Sequence, residues 1–243
     1  MKWYPEFLNF TVVVDDISID NRLIPSHGLS IYIDIPLAER ENLCLLFDTG
    51  SSFKILDYNA RILGVRCDSL NYIFVSLWRK CHIGGLLTGL KTKENIKIVV
   101  PPLFNRDSNE KLKEKGYILS SCFKHELLNL LGPFGDRIKE YVLLIRLRDG
   151  YVVFTGCLRL GLEKLFTRLR ENGYTKIHAI IGGLNLSILD VMTFEYLKTV
   201  IKEFQIKIIY PLHSTAPQAR RVILKNLFNL DMECGVGFSA TIP

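Results

Sequence analysis

Residues 72–85 read YIFVSLWRKCHIGG. The stretch opens as a strand and closes on a glycine pair. Between them stand Trp78, Arg79, Lys80, Cys81 and His82, in what should be a short connection. A tight turn needs one or two residues of special backbone conformation, not five large or reactive side chains. The loop therefore reads as a functional one, with the look of a metal site from which pieces are missing.

The pattern around it is that of a layered α/β chain. TVVVDDI (11–17) and LSIYIDIP (29–36) read as strands, and CLLFDTG (44–50) is the near-continuous apolar run of a strand covered on both faces. Ser51 and Ser52 then open a helix, FKILDYNARILG. Downstream, GGLLTGLKTKEN reads as a helix and IKIVVPP (96–102) as a strand stopped by its prolines. Residues 103–140 are less regular and read as an insertion, in which LGPFGDR is a connection. YVLLIRLRDGYVVFTG is a hairpin about Asp149-Gly150. Helix LGLEKLFTRLREN, strand IHAIIGG, helix LDVMTFEYLKTVIKEF, strand IKIIYPLH, helix STAPQARRVILKNLF and strand VGFSATI follow.

The two halves, about 1–102 and 141–243, thus share one order: antiparallel strands first, then alternating strand and helix. This predicts a single domain over 1–243, an α/β four-layer αββα sandwich of two mixed β-sheets with helices outside. The loops DTGSS, SLWRKCHIGG, TGCLRLG, GGLNL and PLHSTA then gather on one edge, where such folds bind ligands.

Composition narrows the class. The chain has 243 residues, 48% apolar and 23% charged, which suits a globular protein with a sizeable core. No apolar run approaches the ~18–20 residues of a membrane span. The opening MKWYPEFLNF is too short and polar for a secretory signal, so the expectation is a soluble, cytoplasmic protein with no membrane partner. Six cysteines without CxxC spacing do not form a disulfide framework. The net charge of +6 permits an anionic ligand, but it is spread along the chain and nucleic-acid processing ranks last. The basic run ARRVILK (219–225) reads as the solvated face of an amphipathic helix, His125 as a surface helix residue and His178 as structural.

The five loops, in their order, resemble the metallo-β-lactamase superfamily, most closely its dihydropterin synthase-like branch. HGLS (27–30), FDTG (47–50), TGCLR (155–159), IGGLNL (181–186) and PLHST (211–215) each match a motif of that branch, in part or whole. The signature Ser-His-x-His-x-Asp-His-x-Gly-Gly is matched in frame by residues 76–85, but Leu77 and Arg79 stand at its first two histidines and Cys81 at its aspartate. His82 and His213 are retained, while Arg159 and Asn185 replace two further histidines.

The resemblance implies two adjacent metals that activate water. The first would need the positions of Leu77, Arg79 and Arg159. Leucine has no donor atom and arginine stays protonated, so neither can ligate a cation. The second would use Cys81, His82 and His213, a donor set able to hold one zinc. Asp48 matches a residue that orients ligands; pairing with Arg79 or Arg159, or accepting backbone N–H groups at the following helix, are its other readings. Asp48, His82 and His213 are the catalytic candidates, and His27, Trp78 and Asn185 the pocket candidates. Two guanidiniums about 5 Å apart would repel by about 3 kcal/mol at an effective dielectric near 20. Arg79 and Arg159 either splay apart to solvent or, if they converge, call for a bound anion such as phosphate.

Two functions follow from the residues. One is a catalytically silent relative, without cofactor, that binds an anionic small molecule or a protein partner. The other is a mononuclear zinc hydrolase on Cys81, His82 and His213, with the branch resemblance pointing to a phosphorylated or pterin-like substrate. The losses at Leu77, Arg79 and Arg159 tilt the sequence toward the silent relative.

Overall fold

The computed structural model describes residues 3–37, 42–93, 96–102 and 106–243. Strands β1 (Leu8–Val14), β2 (Ser30–Pro36) and β3 (Asn42–Phe47) pair antiparallel. From β3 the sheet continues in parallel through β4 (Tyr72–Phe74), β5 (Lys97–Val99) and β6 (Leu119–Ser120). The second sheet repeats this plan. β7 (Leu128–Phe134), β8 (Glu140–Leu147) and β9 (Gly150–Thr155) are antiparallel, and β10 (Ile177–Gly182) and β11 (Ile208–Pro211) extend β9 in parallel. β12 (Ser239–Ile242) returns to pair with β1.

Alternation along the strands builds the layers. Phe10, Ile31, Ile33, Leu45 and Phe47 of the first sheet meet Leu143, Ile145, Val152 and Phe154 of the second in one buried cluster. Each such side chain, fully buried, contributes about 1.5–3 kcal/mol. The other face of the first sheet is covered by helices α1 (Phe53–Ile62), α2 (Lys80–Leu87) and α3 (Arg106–Glu114) through Leu56, Leu86 and Leu112. α4 (Leu162–Glu171), α5 (Val191–Glu203) and α6 (Pro217–Val222) cover the second; Leu165, Phe166, Leu197 and Val200 of α4 and α5 pack there with Ile223, just beyond α6. The expected four-layer α/β sandwich of two mixed sheets is the observed fold.

The described residues of the segment 103–140, read as an insertion, supply β6 at the edge of one sheet and β7 at the edge of the other. β7 runs through Gly132-Pro133 with a register shift between Leu131 and Phe134. Proline is tolerated there because an edge strand leaves one row of N–H groups unused. The expected helix after the glycine pair begins four residues earlier, at Lys80, so Gly84 and Gly85 lie inside α2. Packing accounts for them: a Cβ on Gly84 would stand 2.2 Å from the Ser51 carbonyl oxygen, and one on Gly85 2.4 Å from that of Thr49. The pair lets α2 press its first turn, carrying Cys81 and His82, onto the Asp48–Ser51 loop. No helix among the described residues is long and apolar enough to cross a membrane.

Candidate metal centre

Asp48 follows β3 directly and is fully buried. Its Oδ1 accepts the Ser76 backbone N–H at 2.7 Å, and its Oδ2 accepts the Ser76 hydroxyl at 2.7 Å. The same Oδ2 lies 2.7 Å from His82 Nδ1. Burial alone would push the His82 imidazole toward its neutral form, but the Asp48 charge and hydrogen bond outweigh it and raise the pKa well above 6.5. The opposite nitrogen, Nε2, is buried without a hydrogen-bond partner among the described residues. The Cys81 and Cys157 thiols lie beside that ring.

Asp16, just beyond β1, does the same for two other histidines. Its Oδ2 lies 2.9 Å from His213 Nδ1 and its Oδ1 3.2 Å from His27 Nδ1. With Nδ1 of each engaged, Nε2 is the free nitrogen of both rings. The rings are close: His27 and His213 have centroids 4.7 Å apart, His82 and His213 5.2 Å. Donor atoms of His27, Cys81 and His213 all lie within 4.8 Å of one another. Gly28 makes this possible, since a Cβ there would stand 2.4 Å from the Cys81 carbonyl oxygen. Leu29 N–H donates to that oxygen at 3.1 Å, fastening the His27 loop to α2.

The charges of the cluster are coupled, and a metal would bind in exchange for protons held on the imidazoles. Burial pushes the Cys81 thiol up, but His213 and His82 outweigh it and bring it down to about 6. Burial lowers His213, yet Asp16 and Cys81 carry it up to about 9. Asp16 is itself lowered: burial opposes ionisation, and His213 and His27 overcome it. Behind it, buried Arg220 donates to Asp15 Oδ1 at 3.2 Å and to the Thr215 carbonyl at 2.8 Å. That clamp ties the Asp15–Asp16 loop to the His213 loop. The expected solvated basic face on 219–225 is therefore wrong for Arg220, which has carboxylate and carbonyl partners to offset its burial; Arg221 does face solvent.

The other expected ligand positions look different. Leu77 is fully buried and bridges to Glu140 across the sheets. Glu140 is buried too, and its carboxylate accepts the backbone N–H groups of Cys157 (3.0 Å), Leu158 (2.7 Å) and Arg159 (2.8 Å). Burial raises its pKa against those three bonds. Arg79 and Arg159 are exposed, without an ion-pair partner among the described residues. Asp48 pairs with neither, because it is sealed under Ser76 and His82 where a guanidinium would have to be desolvated; nor does it accept N–H groups from α1.

Of the pocket candidates, His27 joins the cluster and Asn185 is exposed in the loop after β10, at φ 54°. Trp78 does not roof the site. It is buried against the outer helices of the first sheet, and its indole N–H donates to the Pro101 carbonyl at 2.8 Å. His125 lies in the loop before β7 rather than on a helix; its Nδ1 accepts the Leu127 N–H at 3.1 Å and its ring stacks on Phe123. The residues not anticipated are Asp16, Glu140 and Arg220. Only Asp15-Asp16 left a signal, two acids at the strand end where the ligand loops gather.

Layers, edge and site together define a metallo-β-lactamase fold. No known family model matches the chain, and no curated protein does. Solved structures match it over nearly its whole length. Tm1679, described as a metal-dependent hydrolase of the β-lactamase superfamily, superposes with a TM-score of 0.71 at 24% identity, covering 96% of this chain and 98% of that one. The metallo-β-lactamase fold protein YhfI from Bacillus subtilis gives 0.60 at 15% identity, covering 96% and 99%. A diphosphatase of the PhnP family gives 0.52 at 11% identity, covering 97% of each. These likenesses establish the fold.

Proposed function

We propose that the protein is a single-metal member of this fold, holding one zinc ion on His27, Cys81 and His213 and acting as a hydrolase on an anionic substrate. The carrying observation is that one thiol and two imidazoles converge within 4.8 Å, with both Nδ1 atoms held by one carboxylate. One sulfur and two nitrogens are a zinc donor set that leaves the fourth position of a tetrahedron open. Zinc in such a setting supplies Lewis-acid polarisation and water activation. The buried, unpartnered Nε2 of His82, beside Cys81, also favours a ligand at this point.

The chain's own residues do the rest. Asp16 fixes the tautomer and tilt of His27 and His213. Asp48 holds His82 from behind and keeps a proton at Nδ1, and the neighbouring imidazoles keep Cys81 as thiolate at neutral pH. Arg79 and Arg159, on the rim, can take a phosphate or carboxylate of the substrate in the bidentate way that guanidinium allows. At the positions of the other metal, Leu77 offers no donor and the two arginines cannot ligate. The resemblance to the dihydropterin synthase-like branch supports a phosphorylated or pterin-like substrate. A silent scaffold that binds an anion without metal is the second reading, favoured by the burial of Leu77 where a ligand histidine would stand.

Cobalt(II) reconstitution tests the proposal. A thiolate-to-cobalt charge-transfer band should appear, vanish in Cys81→Ser and weaken in His27→Ala, with hydrolysis of a chromogenic phosphate ester lost in parallel. A band unaffected by Cys81→Ser defeats the ligand assignment. A proper band without hydrolysis of any phosphate, phosphodiester or carboxylic ester keeps the metal centre and defeats the hydrolase assignment, and the absence of any band favours the silent scaffold.

A further inference from the structure

Cys81 stands beside two imidazoles, His213 and His82, and a carboxylate backs each of them. Its sulfur lies within 4.8 Å of the donor nitrogen of His213. His213 Nδ1 is 2.9 Å from Asp16 Oδ2, and His82 Nδ1 is 2.7 Å from Asp48 Oδ2. Outward from the sulfur, each line runs thiol, imidazole, carboxylate: a nucleophile, a base and the group that orients the base. The His82 ring is fully buried, and its Nε2 has no hydrogen-bond partner among the described residues.

The backbone adds to this arrangement. Cys81 lies in the first turn of α2, an eight-residue helix, where N–H groups have no intrahelical acceptor. Those of His82 and Ile83 donate to the Arg79 carbonyl at 2.8 and 3.0 Å, while that of Cys81 has no acceptor among the described residues. A helix N-terminus favours thiolate over thiol. A free N–H on the nucleophile itself can hold the oxyanion that the attack creates. Cys81 is half-buried and open to a ligand, whereas Cys157, also beside His82, is buried.

We infer that, when zinc is away, Cys81 is a nucleophile that takes the acyl group of an activated carboxylic ester, with His213 as its base and Asp16 as a positioning residue. The thiol proton passes to His213 Nε2 as the sulfur bonds to the acyl carbon. The bond from that carbon to the leaving oxygen breaks, and the leaving oxygen takes the proton. Water then adds to the thioester and gives its proton to His213, which returns it to the departing sulfur as the carboxylic acid leaves. Water is the only co-reactant. The inference goes beyond the single-metal reading: it uses the same side chains but does not need zinc to bind them, and it makes zinc and an acyl group competitors for one sulfur.

The test is reaction of the full chain, freed of metal by a chelator, with p-nitrophenyl acetate, followed by p-nitrophenol release and by mass mapping of the acetyl group. Cys81 should be acetylated about a hundredfold faster than exposed Cys122, which lies outside the cluster and reports an ordinary thiol. More than one p-nitrophenol should be released per chain, and one equivalent of zinc should stop the reaction. His213→Ala should reduce the Cys81 rate to that of Cys122. Asp16→Asn should slow acetylation and Asp16→Glu restore part of it, a rescue that a folding defect would not show. Labelling of Cys81 no faster than of Cys122, an unchanged rate in His213→Ala, or release that stops at one p-nitrophenol per chain overturns the inference. A chain that binds zinc but is not acetylated at Cys81 without it also overturns the inference and leaves the metal centre standing. Fast acetylation of Cys81 that zinc does not slow supports the nucleophile and defeats the zinc-ligand assignment instead.

Discussion

Two neighbouring places in this molecule descend from one sequence plan and are held together by different chemistry. Around Cys81, three histidines converge, each with Nδ1 on a carboxylate: His27 and His213 on Asp16, His82 on Asp48. Around Leu77, no imidazole remains, and the loops are joined by the Glu140 carboxylate and three backbone N–H groups. A metal can cross-link loops, and so can a buried carboxylate. The first kind of joint leaves open coordination, whereas the second is closed. The contrast shows two ways of holding neighbouring loops at one edge of the fold.

The sharpest way to break the contrast is behind the centre. Arg220→Ala strands the buried Asp15, and breaking such a pair costs about 3–5 kcal/mol. Urea unfolding should show that loss, with zinc affinity falling too as the Asp16 loop is freed. Glu140→Ala is next. It leaves three backbone N–H groups without their acceptor, those of Cys157 and Leu158 buried, at about 1–3 kcal/mol for each buried one before relaxation and water entry reduce the sum. Stability should fall by about 3 kcal/mol while zinc content stays at the wild-type level. If zinc is lost along with stability, the two places are one unit and the comparison fails.

These two residues also mark where the sequence stops being legible. The strand–helix alternation, the hairpin at Asp149-Gly150 and the five edge loops follow from periodicity and punctuation in short windows. β7 does not, because Gly132-Pro133 looks like a break and only the edge position of the strand makes it tolerable. Cys81, His82 and His213 were readable as a set through their frame of motifs, and His27 as a neighbour of the pocket. Asp16, Glu140 and Arg220 were not. A lone acid or arginine in a strand or helix pattern looks solvated, and its partners lie far along the chain, as with Asp16 and His213. The arginines at 79 and 159 were expected to converge on one anion or splay outward; both side chains are exposed.

A smaller effect sharpens the comparison at the centre itself. Asp16→Ala removes the carboxylate that orients two ligands without touching the donors, and such changes weaken metal binding about 10–100-fold. Competition with a chromogenic chelator measures this, and Asp48→Ala should act separately, through His82.

The smallest effect lies away from both places. His178 is buried in β10 with neither ring nitrogen hydrogen-bonded among the described residues. Burial, then Lys207 and Lys176, lower its pKa below 6.5. The unfolded imidazole takes a proton near 6.5 while the folded one resists, so the unfolded state binds more protons in that window. Stability is therefore full above 6.5 and is lost as pH falls through the folded value. A His178→Leu variant should show an unfolding midpoint that depends less steeply on pH between 7 and 5.

The central claim is one retained centre beside one closed joint. The number of metal ions per chain, determined by elemental analysis of protein purified without chelator, measures it most directly. One zinc per chain, lost in Cys81→Ser and kept in Glu140→Ala, is the predicted result. Two ions per chain, or no zinc at all, would contradict it.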